Sequence, residues 1–379
     1  MKFVIAPDSF KGTLSQVEVA NVMKNAILKK WPTAEIMMKP MADGGEGTLE
    51  ALLAASEKSE RLTINVTGPL GKRLTTNIGI INNDTVIIEV AVIAGLPLVP
   101  KTSRHPYYTT TYGVGEAIIF ALNNGYKKFI VGLGGSATND GGLGMLQALG
   151  ATMQTKNNKR ANIFGKDLFK ITNINLSTID SRIWDCEIVV ASDVDHPLTG
   201  ENGATYIFGP QKGLTNEELK ITDQAMLTYA TLVEQSAKLT KSYINDPGAG
   251  SAGGLGFAFL VLNGKIVSGA EIVGETIALE SCISEANFVF TGEGKSDMQT
   301  LYGKAPGYVA KLANKYEVPS LLISGSVSEV DLLTKQFTKI YSLVDEHVTL
   351  QRALTESKTV LLNKLEYVLI DLEKSITDN

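Results

Sequence analysis

Residues 129–150 read FIVGLGGSATNDGGLGMLQALG: an apolar run over 129–131, a loop over 132–144 dominated by glycine, then a helical pattern through Met145 and Leu149. A short, continuous apolar run bounded by turn residues is the mark of a strand buried on both faces. Strand, glycine-rich turn and helix, in that order, make the repeating unit of an α/β protein. The order recurs: comparable runs stand at 3–6, 36–38, 188–191, 288–290 and 321–323, with Gly, Asp or Ser soon after each.

Helical segments between these runs carry recognisable starts. Ser15 with Glu18 forms the capping-box pattern ahead of an apolar face of Ala20, Met23, Ile27 and Trp31. Thr215 with Glu218 opens a longer helix through Met226, Tyr229 and Val233, and Gly125 and Gly150 are placed as C-terminal stops. The stretch 66–100 differs. Gly68 and Gly71 frame a turn, 82–84 is a hairpin-like turn, and 85–88 is β-rich with no helix nearby. The expected architecture is therefore α/β in two domains. Residues 1–66 and 287–379 form a doubly wound, Rossmann- or flavodoxin-like domain around an inserted mixed α/β domain, 67–286. The last helix, 357–376, carries Leu361, Leu365, Val368, Leu369 and Leu372 and reads as a packing element.

Composition narrows the function. At 379 residues, 44% hydrophobic and 20% charged, the chain can bury two cores. Its net charge of −5 and lack of a basic block argue against nucleic acid, whose affinity comes from clustered Lys and Arg. No run of about 18 uncharged apolar residues predicts a membrane span. The opening MKFVIAPD is too short an apolar run for a signal peptide and is broken by Pro7 and Asp8, so a cytoplasmic protein is expected. Cys186 and Cys282 are expected as buried reduced thiols, and none of His105, His196 and His347 has metal-ligand spacing to another His or Cys.

The 36 glycines gather in loops after apolar runs. The loop 6–12, APDSFKG, places Asp8, Ser9 and Lys11 beyond a strand end, where open α/β sheets bind ligands. A turn that merely caps the next helix would need Asp8 and Ser9 but not Lys11. In 41–48, MADGGEGT, three glycines allow close backbone approach, and Asp43 and Glu46 could hold Mg²⁺; the plainer alternative is a helix start at Glu46 and Thr48. The loop 132–144 is an anion site by physics, with free N–H groups before a helix N-terminus. Its Gly134, Gly135, Ser136, Thr138, Asn139 and Asp140 are candidate phosphate contacts. Gly132, Gly134 and Ala137 also match a dinucleotide fingerprint, but no clear acidic strand end follows about twenty residues later. Asp193 stands at the end of the run 188–191, and Lys212 is presented between Gly209 and Gly213. The loop 247–254, PGAGSAGG, holds a literal GxGxxG yet does not follow a strand.

GEGKSDMQT, 292–300, ends its Gly294-Lys295-Ser296 core like a P-loop. That pattern needs a glycine five residues before Gly294, and Val289 stands there. The polar density of Glu293, Lys295, Asp297, Gln299, Thr300 and Lys304 nevertheless exceeds what a turn requires. Glycine-rich anion loops, lysines and strand-end carboxylates together describe phosphoryl transfer, which runs on positioning and charge neutralisation.

At these loops the chain resembles the bacterial glycerate kinase family, the one without a P-loop. The motifs APDSFKGTLS, MADGGEGT, TTTYGVGE, GLGGSATNDGGLGMLQALG, SDVDHPLTG, FGPQKG, PGAGSAGGLG and TGEGKSDMQTLYGKAP match it in order over 6–306. The resemblance implies Mg²⁺- and ATP-dependent phosphorylation of D-glycerate by a cytoplasmic enzyme of glyoxylate or sugar-acid metabolism. It also implies two α/β domains, an active site in the cleft, and a product that is usually 2-phosphoglycerate, with the 3-phosphate as the alternative. Lys295 and Ser296 stand where the pattern more often has Arg and a branched apolar residue, and Ile93 where Ser or Ala is common. Roles follow as expectations. The 134–140 loop takes the ATP phosphates, and Asp193 acts as general base or metal-directing carboxylate at the glycerate hydroxyl. Lys11 and Lys295 are catalytic cations. Asp8, Ser9, Lys212, Gln299 and Thr300 contact the substrate, and Asp43 and Asp297 bind Mg²⁺. Either a monomer or a homodimer is compatible. A nicotinamide-dependent oxidoreductase lacks the acidic fingerprint partner, and a non-catalytic sugar-acid sensor would not need so many lysine and aspartate loops.

Overall fold

The computed structural model describes residues 1–56, 58–301 and 303–377. It falls into two compact units: Met1–Asp43 with Glu50–Glu57 and Ser268–Asn379, and Gly44–Leu49 with Lys58–Val267.

In the terminal unit, five strands pair in parallel in the order Lys339–Ser342, Ser320–Ser324, Phe288–Thr291, Lys2–Ile5, Glu35–Met38. Numbered within the unit this is 2-1-3-4-5, the flavodoxin-like winding. Alternate residues of each strand point to opposite faces, so Leu321 and Ile323 join a core of Phe3, Ile5, Phe290, Met23 and Ile27, while Leu322 joins Ala310, Leu333 and Phe337 on the other side. Ser15 caps the helix Gln16–Lys30, its side chain and that of Glu18 exchanging bonds as the capping box predicts. The helix Ser357–Thr377 buries Leu361, Leu365, Val368, Leu369 and Leu372 in the same core.

In the inserted unit, six strands run in the order Lys265–Val267, Glu187–Ala191, Lys128–Gly132, Thr85–Glu89, Arg73–Ile81, Ser59–Thr67. The first four are mutually parallel and the last two antiparallel, which makes a mixed sheet. Asn82 and Asn83, both at positive φ, form the tight hairpin turn before Thr85–Glu89. Gly125 and Gly150 each take a positive φ one residue past a helix C-cap, Asn124 and Leu149 respectively.

Apart from the short segment Gly44–Leu49, which goes with the inserted unit, the units divide after residues 57 and 267, whereas 66 and 286 were expected. Ser59–Thr67 pairs along its whole length with Arg73–Ile81, which ties it to the inserted sheet. The helices Gly269–Thr276 and Leu279–Ser284 belong to the terminal unit, where Gly274 lies so close under the Tyr308 ring that a Cβ would stand 2.4 Å from it. Cys186 and Cys282 are free thiols but half-buried, not buried; Cys186 packs on the core only from its edge. Among the described residues no helix is long and apolar enough to cross a membrane.

Candidate functional site

In the terminal unit the winding reverses between Lys2–Ile5 and Phe288–Thr291, and a switch of this kind opens a crevice beyond the strand ends. The loops leaving these two strands, with that after Ser320–Ser324, line a pocket of about 420 Å³ containing Asp8, Ser9, Lys11, Glu293, Lys295 and Lys304. The loops are fixed by backbone contact. The Asp8 N–H donates to Gly292 O at 2.8 Å, and a Cβ on Gly292 would sit 1.8 Å from Ile323 O, so only glycine fits there.

Lys11 Nζ meets Asp43 Oδ2 at 2.8 Å. Asp8 is buried, and burial first, then the charge of Asp43, pushes its carboxyl up to about 8, against the opposing pull of Lys11 and the Ser9 N–H. The corner thus holds more negative charge than it can comfortably ionise. Glu293 is buried as well. Its carboxylate accepts from the Thr300 hydroxyl at 2.6 Å, the Ser296 hydroxyl at 3.1 Å and Lys304 Nζ at 3.2 Å. Lys295 pairs with Asp297 at 3.2 Å. Gln299 is exposed on the far side of Asp297, whose Oδ1 accepts its N–H. The structure therefore gathers Asp8, Ser9, Lys11 and Lys295 on one pocket, with Asp43 held against Lys11. Thr300 is fully buried, and its hydroxyl holds Glu293.

In the inserted unit the loop after Lys128–Gly132 is held from within. Asp140, fully buried, accepts from the N–H and hydroxyl of Thr111 and from the N–H groups of Gly142 and Gly144, and the Met145 N–H goes to the Thr111 hydroxyl. The donors of the short helix Leu143–Ala148, expected to face an anion, are thereby taken, and Asp140 has an internal role. Burial raises the Asp140 carboxyl, and these four donors oppose the rise. The Asn139 amide donates to the Thr205 hydroxyl, and Thr138 is buried. Glycines permit the contacts around them: a Cβ on Gly134 would lie 2.4 Å from Gly45 Cα, and one on Gly253 2.1 Å from Thr138 O. The loop 247–254 thus buttresses the anion loop, with Ala252 strained at φ 52.

Gly134, Gly135 and Ser136 instead face a cavity of about 270 Å³ together with Ser192, Ser251 and Lys212. Lys212 is buried; its Nζ donates to Ser136 Oγ at 3.0 Å and Thr138 O at 2.7 Å, and burial brings it down to about 7 despite the charge of Asp140. Asp193 lies between Ser192 and Val194, both on the cavity wall.

Reasoning from sequence missed Glu293 and Lys304 as site residues, and it missed Glu89, a buried carboxylate that accepts the N–H groups of Gly47 and Leu49. Glu293 had a signal, a charged residue between two glycines directly after a strand; Glu89 ends an apolar strand and had none.

Among the described residues no set of three or more His, Cys, Asp and Glu side chains forms a metal cage. Mg²⁺ characteristically uses one or two carboxylates plus phosphate oxygens. The adjacent Asp43 and Asp8, crowded with negative charge, fit such a partial set, with Asp43 paired to Lys11 as Asp297 is to Lys295.

Residues 3–372 match the model of the glycerate kinase family. The chain is 43% identical over 331 residues to a glycerate 2-kinase of Escherichia coli, covering 87% of this chain and 86% of that one. It is 39% identical over 362 residues to a glycerate kinase of Halalkalibacterium halodurans, covering 94% of each. A crystal structure described as a glycerate kinase 2 from Salmonella typhimurium LT2 superposes with a TM-score of 0.87 at 38% identity, over 100% of this chain and 99% of that one.

Proposed function

The chain belongs to the glycerate kinase family and is a phosphotransferase, and from that premise we propose that it transfers the γ-phosphoryl group of ATP to the 2-hydroxyl of D-glycerate. The observation that carries the nucleotide half is the cavity under Gly134, Gly135 and Ser136, closed by the ammonium of Lys212. Backbone N–H groups and a buried cation bind phosphate oxygens without a Walker loop. The choice of the 2-hydroxyl is supported by the name of the Escherichia coli relative, a glycerate 2-kinase.

Each group then has a task. Asp193 accepts the proton of the attacking hydroxyl as the phosphoryl group arrives. Lys11 and Lys295, both on the charged pocket, neutralise the charge on the transferring group, and Ser9 adds a hydroxyl donor. Asp43, with Asp8 beside it, would hold Mg²⁺, which supplies charge neutralisation on the phosphates when bound. No residue need become covalently modified, because phosphoryl transfer asks chiefly for position and charge.

The test is ³¹P NMR of purified protein with Mg-ATP and D-glycerate beside an Asp193→Asn variant. ADP and 2-phosphoglycerate are expected from the parent, and at least about a hundredfold less product from the variant, the size expected of a lost general base. A 3-phosphoglycerate coupling pattern would move the reaction to the other hydroxyl. Full activity in the variant would remove Asp193 from the mechanism, and absence of any phosphoryl transfer would overturn the reading.

A further inference from the structure

The lysines on the charged pocket are not equivalent. Lys11 and Lys295 have side chains 61% and 67% exposed, with partners Asp43 and Asp297 at 17% and 18%. Lys304 is 26% exposed, and its partner Glu293 is 8% exposed. Exposed lysine–carboxylate pairs are loosely held and weakly coupled. A lysine braced by a buried carboxylate has already lost its rotamer freedom, so a ligand that meets it pays little further ordering entropy.

The brace is itself over-determined. Glu293 Oε1 takes the Thr300 and Ser296 hydroxyls, Oε2 takes Lys304, and Ser296 is in turn hydrogen-bonded to the Ser324 hydroxyl at 2.7 Å. The Thr300 hydroxyl also accepts the Asp297 N–H at 3.1 Å, so both its donor and its acceptor functions are in use. An ammonium has three donors. Glu293 takes one, and no other acceptor among the described residues takes the remaining two, which belong to a residue on the pocket wall. A structural salt bridge would not need so rigid a mount for so incompletely used a cation.

We infer that Lys304 binds the carboxylate of the hydroxy-acid substrate, and that Glu293, fixed by Thr300 and Ser296, is the positioning residue that aims it. This rests on the kinase reading above for the identity of the acid. It assigns ground-state recognition to the braced lysine and leaves the two exposed lysines for charge that develops during transfer. The assignment predicts a split in the kinetics. Removing Lys304 weakens the acid in the ground and transition states alike, which raises KM for the acid and spares kcat.

The experiment measures D-glycerate affinity by calorimetry on nucleotide-free protein, together with KM and kcat for glycerate and for ATP. The proteins are the parent, Lys304→Ala, Lys304→Arg and Glu293→Gln, each checked for an unchanged circular dichroism spectrum. Losing a charge-assisted contact should weaken glycerate about 10- to 100-fold in Lys304→Ala. KM for ATP and kcat should move less than about threefold, since uniform binding alone is lost. Lys304→Arg should recover part of the affinity, and Glu293→Gln should fall between, because the lysine remains but is no longer held by charge. Glycerate binding unchanged in Lys304→Ala, or equal losses for glycerate and ATP, would overturn the inference. Should the parent bind glycerate without phosphorylating it, the kinase reading fails while the variant affinities still judge Lys304; a parent that does not bind glycerate sinks both.

Discussion

The two loop systems begin alike, as a glycine-rich turn at the carboxyl end of a buried parallel strand, and they end as opposite kinds of surface. Around 134–144 the polar side chains turn inward: Thr138, Asn139 and Asp140 are all buried and are bonded to the Ala252 carbonyl, the Thr205 hydroxyl and Thr111 respectively. What faces the cavity is glycine backbone, Ser136 and one buried lysine. Around 292–304 and 8–11 three lysines, Lys11, Lys295 and Lys304, reach the pocket wall beside Asp8 and Glu293, over buried Ser296 and Thr300 and next to apolar Phe10, Leu343 and Leu350. A surface of backbone donors reads the shape of a group common to many ligands, such as phosphate. A surface of paired charges can be rebalanced by a ligand and suits the partner on which specificity depends. The contrast follows from where the glycines fall: three stand in 132–135 and three in 141–144, with Leu133 and Leu143 at the remaining positions, whereas Gly292 and Gly294 leave a glutamate between them.

The largest effect should come from breaking the inward-facing system. Asp140→Ala would strand the Thr111 hydroxyl and three buried N–H groups. The expected loss is about 3–5 kcal/mol of stability, the scale of a buried charged acceptor removed from its donors. Urea unfolding followed by circular dichroism measures it, and ADP binding should fall with it. An equally stable variant with intact ADP affinity would mean that the loop is shaped by its glycines alone.

The same contrast explains what could be read from sequence. Every strand inferred from a continuous apolar run is present; except at the half-buried edge strand Glu35–Met38, burial on both faces leaves a local mark that does not depend on neighbours. The 2-1-3-4-5 order is not local: it depends on Phe3 lying beside Phe288 across nearly the whole chain. Ser59–Thr67 alternates, with Ile64 and Val66 buried between exposed residues, and that half-buried pattern is weaker than the doubly buried runs. In the site, outward-facing residues such as Lys11, Asp43 and Lys295 were legible because a charged residue in a glycine loop has no packing reason to be there. The inward roles of Asp140 and Thr300 were not, since a charged or hydroxyl side chain reads identically in sequence whether it faces a ligand or a backbone N–H. Glu293 and Lys304 were seen only as polar density, because the loop that brings 293, 296, 300 and 304 together has no helical or strand period to reveal it.

Lys212 supplies the next test, since it is the one charge of the inward-facing system that a ligand would meet. Its folded value, about 7, lies below the ordinary 10.5 of an unfolded lysine. Between these values the unfolded chain holds the extra proton, so this residue makes stability rise with pH from about 7 to about 10.5 and contributes no slope below. Phosphate binding has the opposite sense, because an anion favours the charged ammonium. ADP binding should therefore take up a proton, and its Kd should rise above pH 7, approaching about tenfold per unit. Calorimetry at pH 7.5 to 9 in buffers of different ionisation enthalpy measures both. Lys212→Arg, which stays charged, should flatten the dependence; a flat parent profile would show that Lys212 is not the cation on the phosphates.

The smallest effect is expected on the outward-facing side, at Lys295. Lys295 is exposed and paired with Asp297 at 3.2 Å. A lysine there is a point charge on a flexible stem, whereas arginine offers a planar fork to carboxylate or phosphate. If the outward lysines act by charge and not by fixed geometry, Lys295→Arg keeps what matters, and kcat/KM for glycerate should change less than about threefold, near 0.6 kcal/mol. Stability should not move measurably, as for other exposed pairs. A rise of tenfold or more in kcat/KM would mean that this pocket, too, reads its ligand through aimed donors, and the division between a shape-reading loop and a charge-reading pocket would no longer hold.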